Sequence, residues 1–208
     1  LKASTAIRSR QTREILRAGR HAWRIERDLN HFIVINFNTP DGDEFRPQRL
    51  FREVRRKFQS WLYYKRRQRF TDPLTDVRVW ENVDGLLHVN WAVHVPEWLR
   101  AEFLEKLPLW ISKALGGLSE GGYSVQDIYH LNGLLRYMLK GTEKGEAFGI
   151  RNSPQGEVWG RRAVAATCLG KAARGRDQSS GLAVRVSRRK SDRKQKTPAD
   201  AGVLSGRI

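Results

Sequence analysis

Leu86-Leu87-His88-Val89-Asn90-Trp91-Ala92-Val93-His94-Val95-Pro96 is the stretch whose reading decides the fold. Its side chains alternate in character. Val89, Trp91, Val93 and Val95 fall on one side, and His88, Asn90, Ala92 and His94 on the other. Successive side chains of an extended strand point to opposite faces, so this pattern predicts a strand with one core face and a second, more polar face. Pro96 ends it. Upstream, Asp84-Gly85 is a favoured two-residue hairpin turn, and Asp76–Asn82 before it is the partner strand.

Working outward, His31 to Asn38 (HFIVINFN) is a short run rich in β-branched and aromatic residues, closed by Thr39-Pro40-Asp41-Gly42-Asp43. It reads as a buried strand. From Arg46 to Arg69, Leu50, Val54, Phe58, Trp61 and Leu62 recur at helical spacing, with Pro47 in the first turn, where its missing N–H costs nothing. Glu97 to Leu115 is a second helix with a stripe of Leu99, Phe103, Leu107 and Trp110, stopped by Gly116-Gly117. Tyr123 to Lys140 reads in two ways. It is one helix with a capping box at Ser124 and Asp127, or a strand over Tyr123–Tyr129 followed by a helix from Gly133 to Lys140 capped by Asn132. Gly141 ends the helix either way. The order predicts an α+β fold with a mainly antiparallel sheet and flanking helices.

Three regions follow: 1–30, a basic N-terminal arm in which Gln11 to Asp28 is either a surface helix or solvated chain; 31–150, the domain proper; and 151–208, a basic and largely disordered C-terminal tail. The tail carries 14 Lys and Arg against 4 Asp and Glu. The whole chain of 208 residues has 39 Lys and Arg against 22 Asp and Glu, a formal charge of +17, which points to a polyanionic partner and to nucleic acid first. The single cysteine, Cys168, excludes a disulfide framework within one chain and suits a reducing cytoplasm. No apolar run approaches the roughly 20 residues that span a bilayer, and the basic N-terminus lacks the apolar segment of a secretory signal.

Three segments carry chemistry: Val34-Ile35-Asn36-Phe37 on the first strand, Leu87-His88-Val89-Asn90 on the third, and Tyr137-Met138-Leu139-Lys140 on the last helix. In this order they resemble the three motifs of the HUH superfamily of single-strand DNA endonucleases: a hydrophobic strand ending in a polar residue, a His-hydrophobic-His strand, and a helix with Tyr-x-x-Lys. The resemblance covers about residues 31–141 and is nearest to small rolling-circle replication initiators of plasmids or phages. It departs from the family where Asn90 stands in place of the second histidine. It implies a ferredoxin-like (RRM-like) core, with Tyr137 as nucleophile, Lys140 as its charge-stabilising partner, and Mg²⁺ or Mn²⁺ on His88, Asn90 and the acidic Glu81 across the hairpin.

His88 and Asn90 are two residues apart and face the same way about 6–7 Å apart, whereas His94 lies about 20 Å further along the strand and is too distant to share an ion. Asn36 either orients the catalytic tyrosine or contacts DNA, or else is a strand-end residue hydrogen-bonded to a loop. Arg55, Arg56, Arg66 and Arg67, interleaved with Trp61, Tyr63, Tyr64 and Phe70, make either a single-strand binding face or a solvated helix face. The cluster Arg188-Arg189-Lys190 with Arg193, Lys194 and Lys196 reads as a salt-sensitive DNA-binding arm. The expected partner is single-stranded or hairpin DNA. The motifs include no helicase domain, so unwinding falls to a host helicase. The competing readings are a transposase of the same fold, a catalytically degenerate DNA binder, and an unrelated RNA-binding protein; the aromatic strand pattern of RNA-recognition motifs is missing.

Overall fold

A computed structural model describes residues 2–37, 45–68 and 73–179, with the side chains of residues 66–68 and 178 outside the description. In chain order the elements are β1 (Ala3–Ser4), α1 (Ser9–Arg24), β2 (His31–Asn36), α2 (Arg46–Gln68), β3 (Asp76–Val83), β4 (Leu86–Val93), α3 (Arg100–Leu115), β5 (Tyr123–Asp127), α4 (Leu131–Met138), β6 (Val158–Trp159), β7 (Ala163–Ala165) and α5 (Lys171–Ser179). Five strands form one antiparallel sheet in the order β5-β2-β4-β3-β7, while β1 and β6 pair separately. The strand quoted first, β4, is therefore central, and the molecule is α+β.

The hairpin forms where the sequence places it. Asp84 (φ 53°) and Gly85 (φ 78°) are both left-handed, as a two-residue turn matching the twist of its strands requires. The ambiguous segment resolves as strand then helix. Gly121-Gly122 lets the chain leave α3 and lie along β2, and α4 starts at Leu131, two residues before the expected Gly133.

One sheet face carries Ile33, Ile35, Trp80, Val89, Trp91 and Val93, covered by α2 and α3. Rings interlock there. Phe51 and Phe58 meet Trp91 edge-on at centroid distances of 5.2 and 5.8 Å, and Phe58 packs on Phe103 at 4.8 Å. Each such pair adds about 0.5–1.5 kcal/mol beyond area burial.

The other face is also covered, which corrects two expectations. Residues 1–30 are not a free arm: Ile15, Ala18 and Ala22 of α1 pack with Leu135 and Met138 of α4 against Phe32, Val77, Val79 and Ala92. Gly19 permits this approach, since a Cβ there would lie 2.3 Å from Leu135 Cδ1. Nor is all of 151–208 a loose tail. Residues 158–179 supply β6, β7 and α5, and β7 completes the sheet by pairing with β3 through Val79↔Ala163 and Val77↔Ala165. Sequence periodicity misses both because α1 buries small residues rather than a stripe of large ones, and β7 is three residues long. The basic cluster from Arg188 to Lys196 lies outside the described residues. Among the described residues no helix is long and apolar enough to cross a membrane.

Candidate functional site

The register of the sheet assembles the site. Asn36 of β2 stands opposite His88 of β4, and His88 stands opposite Glu81 of β3. These three therefore form one row across the face covered by α1 and α4. In the next row Val34, Asn90 and Val79 align. Three of the four residues expected to carry chemistry on strands thus lie side by side, with Asn90 one row away on the same face.

Glu81 is the centre of this group and is 1% exposed. Its Oε2 lies 3.1 Å from His88 Nε2 and 3.0 Å from Lys140 Nζ. The other ring nitrogen, His88 Nδ1, is 3.0 Å from the Leu86 carbonyl oxygen. A carbonyl only accepts, so Nδ1 carries the hydrogen. Nε2 is then either a second donor, in the imidazolium, or a lone pair aimed at a ligand. Burial favours the neutral ring, but the hydrogen bond to Glu81, the Leu86 carbonyl and the charge of Glu81 together outweigh it and raise the His88 pKa above the ordinary imidazole value. For Lys140 burial likewise disfavours the charge, and Glu81 and Tyr137 more than restore it.

Lys140 links this group to Tyr137. Its Nζ sits 4.0 Å from the centroid of the Tyr137 ring, a cation–π contact. The ring meets Phe32 edge-on at 6.4 Å, while the side chain is half exposed. A concavity of about 390 Å³ opens beside it, lined by Arg136, Tyr137, Lys140, Ile150, Arg151 and Ser153. Three cationic side chains therefore line the same concavity as Tyr137. A groove of about 790 Å³ approaches the row from the other side, past Asn36, Arg46, His88 and the 116–122 turn.

Sequence reasoning missed Arg162, the largest buried polar side chain, 1% exposed. Its Nη2 donates to the carbonyl oxygens of Ser4 (2.7 Å) and Gly156. Burial lowers its pKa and the charge of Glu81 opposes that. Arg136 and Arg151 were missed as well. Arg136 neighbours Tyr137 in sequence, but nothing in the sequence brings Arg151 or Arg162 to the site.

Two buried polar atoms are unpartnered here: Glu81 Oε1 and, one row away, the donor Asn90 Nδ2. Each such group costs about 1–3 kcal/mol. A divalent ion on Glu81 and His88 would have to displace Lys140, whose Nζ is 3.0 Å from the same carboxylate oxygen. The 3.1 Å between Glu81 Oε2 and His88 Nε2 matches two adjacent octahedral ligands at about 2.1 Å each, and a carboxylate, an imidazole and an amide suit Mg²⁺ or Mn²⁺. No group of three or more His, Cys, Asp or Glu side chains that could hold a metal ion converges among the described residues.

The residues expected to contact DNA have other partners or lie elsewhere. Asn36 Nδ2 donates to the Gly121 carbonyl oxygen at 2.7 Å, the loop bond that is the last of its readings. Arg55 is bound in bidentate fashion to buried Asp76, at 2.9 Å through both Nε and Nη2, on the opposite side of the sheet. Arg56 pairs with exposed Glu53. Arg66 and Arg67 are in α2, with side chains outside the described residues, as is Phe70. Tyr63 and Tyr64 are exposed, whereas Trp61 is half-buried and donates to Glu102. No family model, no curated protein and no solved structure matches this chain.

Proposed function

We propose that this protein nicks and rejoins single-stranded DNA through Tyr137, in the manner of an HUH replication initiator. One observation carries the reading: Lys140 reaches both the Tyr137 ring and Glu81, so the nucleophile and the Glu81–His88 pair belong to one site. In the reaction the Tyr137 phenolic oxygen attacks a phosphodiester phosphorus. The P–O bond to the 3′ oxygen breaks, a 5′-phosphotyrosine forms, and the phenolic proton leaves to solvent while the 3′ oxygen takes one up. Rejoining is the reverse. Lys140 stabilises negative charge at the phenol and the phosphate, and Arg136 and Arg151 hold the flanking strand by its phosphates. Glu81, His88 and Asn90 would hold a divalent ion, which when bound would supply Lewis-acid polarisation of the scissile phosphate.

The test is a covalent adduct. The chain is incubated with single-stranded hairpin oligonucleotides and Mn²⁺ and run on a denaturing gel. The expected adduct disappears in Tyr137→Phe and in EDTA. If a known HUH nuclease forms adducts with the same pool and this chain forms none, the nicking reading fails. One observation favours a second reading, a binding-only domain of the same fold: the Lys140 ammonium already neutralises Glu81, and the ligand at position 90 is an uncharged amide. Asn90→His separates the two, since it restores adduct formation only where that amide is the defect.

A further inference from the structure

On the sheet face away from Tyr137, where α2, β3 and β7 meet, a pocket of about 320 Å³ is lined by Arg52, Arg55, Arg78 and Arg161 over a floor of Phe51 and Trp80. Its size is at the lower end of the range for small-ligand sites. Two of these guanidiniums, those of Arg55 and Arg78, converge on a single carboxylate. Asp76, fully buried, accepts from Arg55 Nε and Nη2 at 2.9 Å each, from Arg78 Nη1 at 3.2 Å and from Trp91 Nε1 at 2.9 Å. Asp76 therefore fixes Arg55 and Arg78 in place while leaving most of their N–H donors unspent, since a guanidinium carries five. Arg52 and Arg161 are exposed at the rim. The neighbouring acid Glu53 is taken up by Arg56. Burial lowers the Arg78 pKa, and Arg55 and Arg161 add to this through like-charge repulsion that Asp76 only partly offsets. Like charges held this close are stabilised by an anion between them.

From this cluster we infer that Arg52, Arg55, Arg78 and Arg161 form a phosphate-binding site that holds a backbone phosphate of a single-stranded DNA at a distance from Tyr137. The planar forks suit bidentate recognition of phosphate oxygens. The location has a further consequence. Arg161 lines this pocket, while its neighbour Arg162 is buried on the Glu81 side, so two consecutive residues at the β7 edge serve opposite faces of the sheet. The site requires a polyanionic partner but not the nicking chemistry.

The test uses the full chain with Tyr137→Phe in every sample, so that DNA stays intact whatever that residue does. Binding of a labelled single strand is followed by fluorescence anisotropy across a salt series. Arg52→Ala with Arg161→Ala is compared with Arg10→Ala and Arg13→Ala, an exposed pair on α1 that removes the same charge. The pocket pair is expected to weaken binding about tenfold, the loss of one charge-assisted contact. It should also reduce the salt slope by about 0.7, one single-strand phosphate. The control pair should change affinity less than about twofold, and lysine in place of both rim arginines should be intermediate because it keeps charge without the fork. In parallel, inorganic phosphate at constant ionic strength should raise the melting temperature of the parent and not of the pocket pair. Equal weakening by both pairs with an unchanged phosphate effect overturns the site. A phosphate effect that needs the arginines, with DNA affinity that does not, overturns the strand assignment and leaves a free or nucleotide phosphate as ligand.

Discussion

Two carboxylates on β3 are equally buried and differently served. Asp76 faces α2 and Glu81 faces α4; five residues apart on one strand, they fall on opposite sides of the sheet. Both oxygens of Asp76 are bonded, by two arginines and the Trp91 indole N–H. Glu81 has His88 and Lys140 on one oxygen and nothing on the other. A buried charge whose partners are complete holds structure together. One whose partners crowd a single oxygen keeps a lone pair for something else, and the energetic cost of that arrangement is borne by the rest of the fold.

The largest effect expected from this difference is at Asp76. Asp76→Ala strands two arginines and an indole N–H, so urea denaturation should show a loss of about 3–5 kcal/mol. A loss under about 1 kcal/mol would break the comparison. Glu81→Gln should cost less, about 1–3 kcal/mol, because His88 and Lys140 are partly exposed and can turn to solvent. The same variant should lose DNA adduct formation. Asn90→Leu sharpens the contrast from the other direction: it removes an unpartnered buried amide, so stability should rise by about 1 kcal/mol while adduct formation falls.

Smaller still is a pH effect from His31. Its ring is buried and stacked on Phe103 at 5.8 Å, with Nδ1 3.0 Å from Asp127 Oδ1, close enough for attraction but off-line for a hydrogen bond. Burial lowers its pKa, with Asp127 and Glu97 opposing and Arg100 assisting. The unfolded chain therefore binds a proton that the folded chain resists, and the His31 contribution is present above the unfolded value of about 6.5 and lost as pH falls below it. Melting curves of the parent minus those of His31→Phe should show that loss between neutral and mildly acid pH; a flat difference would refute it. Tyr137→Phe should be the least costly to stability, within about 0.5 kcal/mol for a half-exposed ring, while under the proposed reading it should abolish the adduct.

The hairpin, the central strand and helices α2 and α3 were legible because their side chains are large and periodic. Glu81 could be placed on the partner strand of the hairpin from the Asp84-Gly85 turn; its register opposite His88 comes from the fold. Lys140 and Tyr137 joined them only through the three-motif resemblance, because no local pattern says where a helix docks. What stayed hidden is non-local. The sheet face bearing Asn90 and Ala92 read as a separate surface, yet α1, with its alanines and Gly19, buries it. The Gly and Arg of 156–162 take on their roles only in the fold. In the fold Gly156 takes a left-handed turn (φ 64°), and its carbonyl accepts from Arg162.

That arginine has a consequence for biosynthesis. Its guanidinium joins Ser4 near the first described residue to Gly156 close to the last strand, and β7 follows at once. As the polypeptide leaves the ribosome, β3 emerges long before β7 does. Throughout that interval the nascent sheet has β3 as an open edge, the feature most prone to pairing with another chain, and Glu81 lacks the nearby charge of Arg162. The segment that completes the candidate site is therefore also the one that ends this vulnerable period. A chain stalled before residue 162 should need a chaperone where the finished one does not.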